Sequence, residues 1–95
     1  MTDAEIAAGV AAAESYEGWE SGFIGAQHNH DMAALVGDAA DAATDQSAAG
    51  RQEAAVASLT KVIADNGYAS EVSATMIVGV VTAVLGAVAN LRKSS

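Results

Sequence analysis

Hydrophobic positions along this chain recur with a helical period, and the polar positions between them mark where each helix stops. The clearest case is 51–65, where Ala55, Val56, Leu59, Val62 and Ile63 form one stripe and Arg51, Glu53, Lys61 and Asp65 lie off it. Asn66-Gly67 then supplies the left-handed stop that helices commonly use. Ser70 reads as the cap of a new helix, with Glu71 at its positive end. Positions 72–91 carry no charge, and Val72, Met76, Ile77, Val78, Val80, Val81, Val84, Leu85 and Val88 take up the whole circumference. A helix apolar all round is a central core helix or a membrane span. The mean hydropathy of the run, about 1.9, lies in the range of a span. The run is too long for one strand, and Arg92 and Lys93 close it at the negative end of the helix dipole.

The first half of the chain is looser. Thr2-Asp3-Ala4-Glu5 reads as a capping box that starts a helix running to about Glu17, where Gly18 weakens it. Gly18, Gly22, Gly25 and the polar stretch Gln27-His28-Asn29-His30 predict a loop or broken helix, anchored by Trp19, Phe23 and Ile24. From Asp31 a second helix follows, with Met32, Leu35 or Val36, Ala39, and Ala42 or Ala43 at helical spacing; Gly50 kinks or ends it. The expected fold is all-α, one domain over 1–95 with three to four helices in a helical hairpin or small bundle. Residues 1–47 form its acidic, alanine-rich part, and 48–95 its amphipathic helix and fully apolar C-terminal helix. The short connection at 66–69 favours antiparallel neighbours.

Composition sharpens this picture. Hydrophobic residues make up 52% of the 95, but aromatics only 4%, so alanine dominates. Alanine buries little area, and hydrophobic gain scales as about 25 cal/mol per Å². A chain this short hides only about two thirds of its surface when it folds alone. Partner subunits or a bilayer are therefore expected to complete the burial. The absence of proline favours helix throughout, and the absence of cysteine excludes disulfides and thiolate metal sites. A net charge of −8, with Arg51, Lys61, Arg92 and Lys93 the only cations, disfavours general binding to a nucleic-acid backbone. Thr2, Asp3 and Glu5 after Met1 give no basic region of a secretory signal.

Three groups of residues are candidates for function. Gly79, Ala83 and Ala87 lie four apart, so small residues share one helix face and allow close backbone approach. With Val80 and Val84 they form a candidate self-association face, whose partner is another copy or this chain's own 51–65. Asp31, Asp38, Asp41 and Asp45 share a face if 31–46 is helical, and Glu14, Glu17 and Glu20 form a shorter row. Such rows suit a basic partner, or are the wet side of an amphipathic helix. His28 and His30, beside Asp31, fall short of the three or four ligands of a zinc site, and no Glu-x-x-His pair exists. They are read as solvent-facing, with no metal and no cofactor expected. No Gly-rich phosphate loop, cysteine nucleophile or Ser/His/acid arrangement is present, and nothing suggests a pocket that makes Glu17 and Glu20 an acid and a base. No enzymatic activity is expected.

The order of parts from Ala48 onward resembles a filamentous-phage major coat protein. The matching parts are the amphipathic 51–65, Tyr68-Ala69, the apolar 72–91, and the basic end Arg92-Lys93-Ser94-Ser95. The resemblance is one of layout and covers about half the chain. It implies subunits that wait in the inner membrane as single spans and then shingle into a tube around DNA. It also implies that Arg92 and Lys93 face nucleic acid and that Gly79 and Ala83 lie at subunit contacts.

Two readings of function follow. In the first the chain is a non-enzymatic structural protein, a homo-oligomer self-assembling through its apolar C-terminal helix, in a membrane or as a filament or coat subunit of a virion. A small lysis or pore protein shares its membrane premise. In the second it is a soluble, cytoplasmic acidic bundle that inhibits or binds a basic or nucleic-acid-binding protein, with the apolar helix as its core.

Overall fold

Each helix starts and stops on side-chain chemistry. A computed structural model describes residues 1–25 and 28–94; Ala26, Gln27 and Ser95 lie outside the described residues, and with them part of the expected polar loop and basic tail. Helix α1 spans Asp3–Glu14. Its capping box forms as expected: Thr2 Oγ1 accepts from the Glu5 amide at 3.1 Å, and Glu5 Oε1 accepts from the Thr2 amide at 2.8 Å. The helix ends short of Glu17, and the chain turns at Gly18, whose φ of 87° is a left-handed conformation open to glycine at no steric cost.

A 3-10 turn at Ser21–Ile24 follows, then α2 over Asn29–Asp41. The broken segment is anchored as anticipated. Trp19 and Ile24 are buried, and Trp19 Nε1 donates to Asn29 Oδ1 at 3.0 Å. The rings of Trp19, Phe23 and Tyr68 meet edge to face, with centroids 5.6 and 5.9 Å apart. Gln46 covers the end of α2: its Nε2 donates to the carbonyls of Ala40 at 3.0 Å and Ala43 at 2.7 Å, in the turn where helix carbonyls lack helical partners.

Helix α3 runs over Ala48–Asp65 from a Ser47 cap, which accepts from the Gly50 amide at 3.1 Å. Gly50, expected to kink or end a helix, instead sits in this first turn, where a side chain would run into Asp45. The stop at Asn66-Gly67 is a Schellman motif. Tyr68 N donates to Ile63 O at 3.0 Å and Gly67 N to Ala64 O at 3.0 Å, with Gly67 at φ 84°.

Helix α4 spans Ala74–Ser94. Its cap is Ser73, which accepts from the Met76 amide at 3.1 Å, rather than the expected Ser70. Val72 therefore precedes the helix, although it is buried in the core.

The fold is all-helical, with four α-helices and no strand among the described residues. The helices run up, down, up, down. Arg92 near the end of α4 bonds to Glu5 at the start of α1, and Arg51 at the start of α3 bonds to Asp41 at the end of α2. The broadest seams are α1 against α4 and α2 against α3, whereas α3 meets α4 more sparsely. Ile24, Met32, Val36, Leu59, Ile63, Val80, Val81 and Val84 fill the shared core. Burying a side chain of this size contributes about 1.5–3 kcal/mol.

Candidate interaction surface

Helix α4 has two unlike faces. Ile77, Val80, Val81, Val84 and Val88 are buried in the bundle. The opposite face carries Thr75, Val78, Thr82, Gly86 and Ala89, all exposed, with Leu85 half-buried at its edge. Helix α4 is long and apolar enough to cross a membrane, with a mean hydropathy of 2.0 over its most apolar stretch, yet only 28% of that stretch is buried.

The face expected to bring copies together is used within the chain. Val80 and Val84 are fully buried, and the Tyr16 ring lies where a side chain on Gly79 would go. Ala83 and Ala87 are half-buried beside them. Within the chain, this side of α4 packs against α1 and the turn after it, and the space at Gly79 is taken by the Tyr16 ring rather than by another backbone. The complementary notch is on α1. A Cβ on Gly9 would sit 3.0 Å from Ala33 Cβ and 3.1 Å from Val84 Cγ1, so three helices meet there.

The α3/α4 seam is open by comparison. Two hollows lie along it, of about 450 and 260 Å³. The larger lies between Ala48, Arg51 and Gln52 of α3 and Thr82, Leu85, Gly86 and Ala89 of α4. The smaller lies between Val56, Thr60 and Ala64 of α3 and Ala74 and Val78 of α4. Thr60 and Thr82 donate their hydroxyls to their own helices, to Val56 O and Val78 O, each at 2.7 Å. The hydroxyls thus need no outside partner, so the groove is apolar along the smaller hollow and polar only where Arg51, Gln52 and Arg92 line the larger one. Among the described residues, Gly86 meets no atom within 4 Å of where its side chain would be. A glycine inside a helix costs about 1 kcal/mol relative to alanine. No described residue uses the space left at Gly86, unlike the spaces at Gly9 and Gly79.

Charges gather at the end of the bundle where α1 and α3 start and α2 and α4 stop. Arg92 donates Nε to Glu5 Oε2, and its terminal nitrogens to both Asp41 oxygens at 3.1 and 3.0 Å. Arg51 reaches Asp41 at 3.0 Å, and the Met1 amino group reaches Asp38 at 3.3 Å. The Arg92 bond, helped by the Thr2 amide, holds the Glu5 carboxyl down to about 2. Asp41 is lowered first by Arg92 and then by Arg51, and the two carboxylates raise Arg92 in return.

The remaining candidate residues are dispersed. Asp45 falls outside the expected acidic row because α2 stops at Asp41; it accepts from the Ser47 amide at 2.9 Å instead. Asp31 is exposed beside His30, 3.6 Å away, and His28 is an exposed residue preceding α2. No three His, Asp or Glu side chains converge as a metal site among the described residues. Lys61 is paired with Asp65 at 2.6 Å. Lys93 is exposed and meets no carboxylate among the described residues.

Sequence reasoning missed Tyr16, the outer face of α4 and the Arg92 clamp. Gly86, an interior glycine in an apolar helix, was the one visible signal of the outer face. Known protein families, curated proteins and solved structures give no match to this chain.

Proposed function

We propose that this chain is a non-enzymatic, self-assembling helical structural protein that associates through the outer face of α4 and the groove beside it. The observation that carries this reading is Gly86, in an exposed stripe of uncharged residues, with no described residue within 4 Å of its side-chain position. Glycine is favoured where another backbone comes close, and contiguous exposed apolar surface marks interaction sites. The groove holds no paired acid and base, which favours packing over chemistry. The acidic-module reading has less support: Asp38, Asp41 and Asp45 already accept hydrogen bonds within the chain. In a coat-like version Arg92 would have to leave two carboxylates to face nucleic acid.

The test is mass in solution without detergent. Light scattering at tens of micromolar is expected to give an assembly larger than the monomer. Gly86→Glu is expected to return it to the monomer with its helix content intact. A wild-type protein that stays monomeric up to millimolar concentration overturns the reading. The hydropathy of α4 supports a membrane-associated form of the same reading. In that form the chain floats with lipid vesicles, and the same substitution releases it.

A further inference from the structure

We infer that two copies pair through α4 as an antiparallel, two-fold dimer with Thr82 on the axis. The inference rests on the self-association reading and adds the occupant and register of the face. The exposed residues Thr75, Val78, Thr82, Gly86 and Ala89 follow one another at steps of 3, 4, 4 and 3. That spacing is a palindrome centred on Thr82. At 100° per residue the five fall in an arc of about 80°, opposite the buried valines.

In an antiparallel pair centred on Thr82, Val78 of each copy faces Gly86 of the other, and Thr75 faces Ala89. The one branched apolar side chain of the stripe thus meets the one position without a side chain, twice. A parallel pair in register sets Val78 against Val78 and leaves Gly86 facing Gly86, a clash beside a void. Thr82 at the axis needs no partner for its hydroxyl, which already bonds Val78 O.

Charge chooses the same direction. Lys93 is exposed at one end of α4 and free of carboxylates among the described residues. Glu71 is exposed in the turn before the other end. The antiparallel register brings each Lys93 to the end of the partner copy where Glu71 is exposed, whereas the parallel one places like charges together. Opposed helix dipoles add to this preference. Exposed pairs contribute little to affinity, so these charges orient the dimer more than they hold it.

The area is adequate. The outer side of the α3/α4 pair, about 30 Å long and two helix diameters wide, offers on the order of 600 Å². Stable complexes bury about 600–1,000 Å² per partner, so this face lies at the lower end of that range. A contact of this kind is isologous and closes on itself, so larger assemblies would be built from dimers.

The chain has no cysteine, so single cysteines report the register directly. A disulfide needs Cα atoms about 4.4–6.8 Å apart. Antiparallel pairing holds Thr75 of the two copies about 20 Å apart along the helix. Thr82→Cys is expected to oxidise to a covalent dimer. Thr75→Cys and Ala89→Cys should each stay monomeric alone but link when mixed. Lys93→Glu is expected to weaken the dimer about threefold, and Glu71→Lys in the same chain to restore it. If Thr75→Cys and Ala89→Cys each link to themselves, the pairing is parallel and the inference falls, while self-association stands. A dimeric mass with no link at any of the three positions puts the contact elsewhere and also overturns it. A monomeric mass with no links overturns both this inference and the function it rests on.

Discussion

The two seams along α4 are built from similar residues and end in opposite states. Against α1, the Gly9 notch meets Val84 and Ala33 and the Gly79 notch holds the Tyr16 ring, so the middle of the seam is filled. A hollow of about 250 Å³ is left only at its end, where Thr2, Ala4 and Glu5 face Leu91 and Arg92. Against α3, Gly86 is left open and two hollows remain. Alanine and valine side chains are too short to bridge helices at ordinary spacing. Close packing in such a chain therefore depends on where glycine notches meet a knob. Where they do, the seam belongs to the fold; where they do not, the surface is left for something else.

Filling the closed notch should have the largest effect. Gly9→Val forces a side chain against Ala33 and Val84, both fully buried, and overpacking of this kind costs about 1–3 kcal/mol. Thermal unfolding at pH 7 should show it as a fall of about 4–8 °C per kcal/mol. An unchanged melting temperature would mean that the three-helix contact is looser than described.

Acid should loosen the end of α4 that the closed seam depends on. Glu5 and Asp41 both have lowered folded-state pKa values, so their stabilisation is complete above the unfolded values, near 4. It is lost as pH falls through the folded values, about 2 for Glu5. Wild type should therefore lose melting temperature between pH 5 and pH 2. Arg92→Met should start lower at pH 7 and lose less over that interval. Parallel pH profiles for the two proteins would show that the clamp contributes nothing.

The open notch should respond with the opposite sign. Gly86→Ala enters empty space in a regular helix, so the monomer should gain about 0.5–1 kcal/mol, measured by denaturant unfolding at low concentration. The same change should weaken association. A variant that loses stability would show that the groove is not open at Gly86.

Gly79→Ala should have the smallest effect. Its added methyl meets the far end of the Tyr16 ring, a side chain that can swing aside, and alanine's helix preference of about 1 kcal/mol offsets the displacement. Net stability should change by under about 1 kcal/mol. A loss as large as that of Gly9→Val would make Tyr16 a fixed part of the core.

Much of the fold was legible because its signals are local. The Thr2 and Glu5 box and the Asn66-Gly67 stop each depend on a few neighbouring residues, and both form. The break near Gly18 and the anchoring by Trp19 and Ile24 follow from side-chain size and glycine content. Other boundaries were not legible. Ser70 and Ser73 are equivalent as caps in the sequence, and burial of Val72 accompanies the choice of Ser73. The end of α2 at Asp41, which removes Asp45 from the acidic row, depends on the reach of the Gln46 amide.

The amino-acid sequence by itself determined that the chain is helical, where most helices begin and end, and that its last helix carries far more apolar surface than its neighbours. Those properties follow from propensity, caps and composition, which act within a turn or two of chain. Only the tertiary structure decided which side of α4 faces inward. With no charge along 74–91, the rotation of α4 rests on finer differences. Its valine-rich side turned inward and its Thr75, Thr82 and Gly86 side outward, with the Gly9 notch, the Tyr16 ring and the Arg92 clamp fixing the fit. The outer face with Gly86 is what that choice left uncovered.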